Sequence, residues 1–162
     1  MNPERCLVRL GEFTVRKSPA QLVTLALGSC VAVVLHDAES GVAGLAHAML
    51  PAPGNEREPL PEGRYVVSAV PAMLREMAAL GASPSRTTGR LIGGASMFAA
   101  LAGQGVMQIG ERNLIAARRA LEEAGIPITG EATGGDYGRS LEVQLPGGTV
   151  TITSYAHDPE QL

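Results

Sequence analysis

Two apolar runs separated by a short polar turn constrain this chain more than any other feature. The first is Leu27-Gly28-Ser29-Cys30-Val31-Ala32-Val33-Val34-Leu35 and the second is Gly44-Leu45-Ala46-His47-Ala48-Met49, with His36-Asp37-Ala38-Glu39-Ser40-Gly41 between them. Apolar stretches on either side of turn-forming residues read as the arms of an antiparallel hairpin. A turn centred on Ala38 and Glu39 pairs Leu35 with Val42 and, continuing the ladder, Cys30 with His47. Directly opposed residues carry Cβ atoms roughly 4.5–5.5 Å apart, close enough for an imidazole to reach a sulfur. A slip of one residue would send the two side chains to opposite faces, so the chemistry depends on register.

The rest of the chain supplies a core around that hairpin. Its 162 residues suit one domain, 1–162, able to bury roughly 70% of its unfolded surface. Aromatic residues are 3% and Trp is absent, so Val, Leu, Ala, Ile and Met must fill the interior. A net charge of -3 without a Lys/Arg cluster argues against a nucleic-acid or anionic-membrane surface. Two cysteines, Cys6 and Cys30, are too few for a disulfide framework, and Met1-Asn2-Pro3-Glu4-Arg5 lacks the plan of a signal peptide, so the cytoplasm is the expected compartment. No apolar run reaches the ~20 residues of a membrane-spanning helix.

Periodicity then orders the elements. Cys6 to Val15 reads as an edge strand or hairpin broken at Gly11, and Leu22 to Leu27 as a second strand. Pro51 to Gly63, with four prolines and two glycines, is a loop beside the thiol–imidazole pair. Val66, Val70, Met73, Met77 and Leu80 step at helical spacing, with Pro71 expected in the first turn and Gly81 as the stop. Leu114, Ala117, Leu121 and Ala124 make the stripe of a second helix that Gly125 and Pro127 end. Arg90 to Ile92, Ile128 to Ala132, Leu141 to Leu145 and Thr149 to Thr153 are strands, and Gly103-Gln104-Gly105 a loop. The expected fold is an α/β (α+β) layered domain with mixed, largely antiparallel sheets and two main helices.

Several residues carry chemical potential. A lone Cys in an apolar strand is commonly a packing residue. Cys30 differs because it follows Gly28-Ser29 at a strand entrance and faces His47, and a nearby imidazolium lowers a thiol's pKa to expose the nucleophilic thiolate. Backbone N–H groups around Gly28, Ser29 and Cys30 are donors for an oxyanion, since glycine permits close approach. His36 belongs to the turn and His157 to the tail, and neither has metal-ligand spacing to another His or Cys. Gly94-Ala95-Ser96-Met97-Phe98 is half of a serine-hydrolase elbow and lacks its second glycine. Gly134-Gly135-Asp136-Tyr137-Gly138-Arg139 follows a strand without opening a helix and reads as a tight turn.

Six motifs in order carry a resemblance: Thr24-Leu25-Ala26-Leu27-Gly28-Ser29-Cys30, Gly44-Leu45-Ala46-His47-Ala48-Met49-Leu50-Pro51, Ile92-Gly93-Gly94-Ala95, Ile109-Gly110-Glu111-Arg112-Asn113, Gly125-Ile126-Pro127 and Gly134-Gly135-Asp136-Tyr137-Gly138-Arg139. Together they resemble the CheD family of chemoreceptor glutamine deamidases over about Thr24 to Ile152. The resemblance implies Cys30 as nucleophile, His47 as general base and Thr24 as the orienting third member. The strand pattern by itself leaves Thr24 unplaced relative to His47. Val67 and Asp136 depart from the pattern, where aspartate and asparagine are usual.

The resemblance further implies a protein-glutamine deamidase that needs no metal or organic cofactor and acts on the cytoplasmic helical region of methyl-accepting chemoreceptors. It implies hydrolysis of methylated glutamates as a second activity and a CheC-type phosphatase as a partner. The alternative reading is a non-catalytic regulator of such a phosphatase. A cysteine peptidase, which would cut backbone, is a third.

Overall fold

In the computed structural model, residues 2–55, 61–98 and 107–162 are described. The chain there runs β1 (Glu4–Leu7), β2 (Phe13–Lys17), β3 (Ala20–Leu27), β4 (Val31–Asp37), β5 (Val42–Ala48), α1 (Val66–Ala79), β6 (Thr87–Gly93), α2 (Ile109–Glu123), β7 (Ile128–Thr133), β8 (Arg139–Leu145), β9 (Thr149–Thr153) and β10 (Glu160–Gln161). Single 3-10 turns stand at Glu62–Arg64 and Pro84–Arg86.

Two five-stranded sheets form, ordered β1-β3-β8-β9-β10 and β2-β5-β4-β6-β7. Pairing is antiparallel except between β1 and β3 and between β6 and β7. One face of the second sheet packs on α1 and α2 through Val31, Val33, Leu35, Met73, Leu114 and Leu121. Its other face meets the first sheet through Ala32, Val34, Leu45, Leu22, Val143 and Ile152. Burying each Val, Leu or Ile contributes about 1.5–3 kcal/mol, which holds three layers together without large aromatic residues. This is the expected α+β arrangement, with the β4–β5 hairpin covered on both sides.

That double burial explains a correction of register. Asp37 pairs with Val42, Leu35 with Gly44 and Ala32 with His47, two residues away from the expected ladder. The turn is longer because Asp37 organises it: Oδ1 accepts the Glu39 N–H at 3.1 Å and the Ser40 N–H at 3.4 Å, and Gly41 takes a φ of 70°. Every residue of β4 and β5 is buried, so no inside-outside alternation in the sequence fixes the pairing. A shift by two preserves which face each side chain occupies.

Other expectations also change. β1 and β2 are not a hairpin but join different sheets. His36 lies within β4, buried, with Nε2 3.1 Å from the Pro146 carbonyl, rather than in the turn. Pro71 sits inside α1 and not in its first turn. The helix can begin at Val66 because the Leu50 and Pro51 carbonyls accept the Val66 and Val67 N–H groups at 2.9 and 3.2 Å, fixing the first turn before the proline. The Gly103-Gln104-Gly105 loop and residues 56–60 of the proline-rich loop lie outside the described residues.

Candidate active site

A β-bulge delivers the first member of the site. Thr24 pairs with Leu141 and Leu27 with Arg139, so Leu25 and Ala26 together oppose Ser140 alone. Both intervening residues are exposed, which lets Thr24 and Leu27 both face the inter-sheet core. Ala26 takes a φ of 59°, a left-handed conformation that costs a non-glycine residue about 1–2 kcal/mol. Its N–H is held by Ser140 Oγ at 3.1 Å.

Thr24, fully buried, then touches two groups. Its hydroxyl donates to the Val8 carbonyl at 2.6 Å, and Oγ1 lies 2.7 Å from Nδ1 of His47. A carbonyl can only accept, so the single hydroxyl proton is committed to Val8. Nδ1 must therefore be the donor to Thr24, and Nε2 keeps the lone pair. Nε2 is buried and has no hydrogen-bond partner among the described residues. The imidazole is thus held in the tautomer that a general base requires.

Cys30 stands one residue ahead of β4, half-buried against the inter-sheet core. The β4–β5 ladder ends at Val31 and Ala48, so strand pairing does not extend to Cys30, and Nε2 makes no hydrogen bond to its sulfur; Cys30 packs on the inter-sheet layer in which His47 meets Thr24. Cross-strand opposition of Cys30 and His47 was expected; Ala32 instead stands opposite His47, and Cys30 lies beyond the last pair of the ladder.

Burial moves both titrations away from an ion pair. It pushes the Cys30 thiol above its ordinary 9.0, and the thiol's own N–H offsets this only in part. It pushes His47 below 6.5. Both shifts disfavour the charged forms, the opposite direction from the lowering of the thiol expected beside an imidazolium.

The carbonyls around Cys30 are all engaged. Gly28 accepts from the Ala95 N–H at 2.9 Å and Cys30 from the Gly94 N–H at 2.8 Å, while Ser29 accepts from Asn113 Nδ2 at 2.9 Å. Gly93 and Gly94 take φ of 102° and 66°, and a Cβ on Gly93 would come 2.5 Å from the Cys30 oxygen. Asn113, on α2 and fully buried, also donates to the Met49 carbonyl at 3.0 Å. Sequence reasoning gave Asn113 no role of its own. Its signal was a polar residue on the buried stripe of Gly110, Leu114, Ala117 and Leu121.

Ser29 lines a cleft of about 210 Å³ with Ser96, Met97, Phe98 and the start of α2. A second cleft of about 580 Å³ lies beside the bulge, between Ala26, Met97, Tyr137 and Tyr155. The apolar groove between α1 and α2, where Val67 sits, contains none of these residues. The Gly134–Arg139 turn is closed by Arg139, which donates to the Gly134 carbonyl at 2.8 Å and covers the Tyr137 ring, and Asp136 is exposed on it. His157 packs on Tyr137 at 4.3 Å between ring centres. Among the described residues no three His, Cys, Asp or Glu side chains gather as a metal centre would require, and no helix is long and apolar enough to cross a membrane.

Comparison with known proteins gives concordant results. The family described as CheD chemotactic sensory transduction matches residues 49–154. A probable chemoreceptor glutamine deamidase CheD 2 of Geobacter metallireducens is 42% identical over 96% of this chain and 96% of its own. A probable chemoreceptor glutamine deamidase CheD of Caldanaerobacter subterraneus is 39% identical over 93% of each chain, and one of Methanococcus maripaludis is 39% identical over 90% of this chain and 92% of its own. In overall fold the chain is similar to a crystal structure of a Neisseria meningitidis protein of the DUF152 family, with a TM-score of 0.51 at 14% identity, covering 83% of this chain and 63% of that one.

Proposed function

The chain belongs to the CheD family of chemotaxis proteins, and from that premise we propose that it is a chemoreceptor glutamine deamidase in which Cys30, His47 and Thr24 carry the reaction. The observation that carries this reading is the Thr24–His47 contact, because it leaves Nε2 as a base in the inter-sheet layer on which Cys30 packs.

The reaction follows from these atoms. Nε2 takes the thiol proton as Sγ attacks the side-chain carboxamide carbon of a glutamine, and a C–S bond forms. The tetrahedral oxyanion lies toward the N–H groups of Ser29 and Cys30, with Gly28 leaving room for approach. The imidazolium returns its proton to the departing nitrogen, the C–N bond breaks and ammonia leaves a thioester. Water, deprotonated by Nε2, cleaves that thioester to glutamate and the free thiol. Thr24 accepts from Nδ1 throughout and stabilises the transient imidazolium.

A protein substrate fits the surroundings. Phe98 is 70% exposed, Met97 47% and Leu25 54%, and all three belong to segments that adjoin Gly28 to Cys30. Such an apolar margin suits the helical cytoplasmic region of a chemoreceptor better than a small amide. On family grounds the protein is cytoplasmic, acts as one domain over 1–162, hydrolyses methylated glutamates as a second activity and takes a CheC-type phosphatase as partner. Incubation with a chemoreceptor cytoplasmic fragment, followed by mass spectrometry, should convert specific glutamines to glutamate. Cys30→Ala should abolish conversion, and conversion that survives it overturns the assignment.

A further inference from the structure

The β4–β5 ladder ends at Val31 and Ala48, and beyond it the strands separate. Met49 turns away to bond the Arg64 carbonyl, and the Cys30 carbonyl turns toward Gly94. One side chain fills the gap. Asn113 donates from Nδ2 to the carbonyl of Ser29, ahead of β4, and to that of Met49, just after β5, while being fully buried. Its helix is pressed against the neighbouring turn, since a Cβ on Gly110 would lie 2.6 Å from the Gly94 oxygen.

A trans peptide plane points its C=O and its N–H in opposite directions. Holding the Ser29 carbonyl therefore aims the Cys30 N–H away from Asn113, while Cys30 itself packs on the inter-sheet layer in which His47 meets Thr24. We infer that Asn113 is a positioning residue that fixes the Ser29–Cys30 peptide so that the Cys30 N–H donates to the oxyanion. This rests on the deamidase reading above. Asn113 touches no substrate and acts only through the backbone.

The test compares two chemistries at the same sulfur. Alkylation of Cys30 by iodoacetamide, measured with Cys6 replaced by Ser, builds no oxyanion; deamidation of a chemoreceptor fragment does. Asn113→Ala should lower kcat for deamidation about 100-fold, the usual effect of removing one oxyanion donor, with KM changed less than about threefold. Alkylation should change less than about threefold. A glutamine-aldehyde peptide, which forms a thiohemiacetal with a tetrahedral oxygen, should bind weaker by the same factor as kcat. Asn113→Ser carries the same comparison with less disturbance of packing if the alanine variant fails to fold. Equal losses in alkylation and deamidation, or kcat within threefold of the parent, overturn the inference. If Cys30→Ala itself retains deamidation, the underlying function fails instead, so the two failures are distinguishable.

Discussion

Replacing Thr24 by Val keeps shape and removes only the hydroxyl, so it isolates the oxygen that His47 bonds. The loss leaves two buried groups without partners, the Val8 carbonyl and the His47 Nδ1–H. A buried polar group left unpaired costs about 1–3 kcal/mol. For Nδ1–H that cost falls on the productive tautomer, since moving the proton to Nε2 escapes it and removes the base. The productive population then drops by about 5- to 150-fold, and kcat with it. KM should hold, because Thr24 is fully buried and meets no substrate. The assay is the initial rate of glutamine-to-glutamate conversion on a chemoreceptor fragment, with a thermal melt of each variant alongside. Thr24→Ser restores the oxygen and should recover most of the rate. If folded Thr24→Val works within twofold of the parent, the tautomer argument is wrong.

Three further outcomes follow from the same geometry. The pH profile of deamidation should have a broad plateau: its acid limb lies below 6.5, where His47 gains a proton, and its alkaline limb above 9.0, where the Cys30 thiol loses the proton that ammonia needs. Alkylation of Cys30 titrating below 9.0 would contradict this. Burial raises the Asp37 carboxyl, but the Ser83 N–H, the Arg86 guanidinium and Ser40 outweigh it and lower it from 3.8 to about 2. The carboxylate therefore adds about 2 kcal/mol that is fully present above 3.8 and lost as pH falls through about 2, and Asp37→Asn should remove it at neutral pH and flatten acid unfolding across that window. Gly94→Ala forces a side chain into a φ of 66° with its Cβ 2.5 Å from Leu114 Cγ. It should cost about 2–4 kcal/mol and lower the melting temperature by about 5–15 °C, read by calorimetry.

Much of this molecule can be read from its residues, for reasons that differ by element. Helices and outer strands announce themselves because one side of each is wet: the stripe of Leu114, Ala117 and Leu121 on α2, and the alternation of Leu141, Val143 and Leu145 on β8. The central hairpin is legible as a pair of strands but not in register, since Val31–Asp37 and Val42–Ala48 are dry on both faces. An error of two residues leaves every paired side chain on its expected face, and Cys30, just ahead of the first pair, packs on the inter-sheet layer. Thr24 was beyond strand reasoning, as the bulge at Leu25 and Ala26 has no compositional mark. Asn113 was missed because a partner that binds only backbone carbonyls leaves no matching side chain to find.

The proposed centre draws its members from two separate layers: Thr24 from one sheet, His47 from the other and Cys30 from the residue just ahead of that second sheet's β4. Secondary structure alone cannot assemble it. A collapsed intermediate with every strand formed but the two sheets not yet seated would contain all three residues and have no base in its working tautomer. Turnover is accordingly a gauge of interlayer docking, and during refolding it should appear with fixed side-chain packing and after the backbone circular dichroism signal.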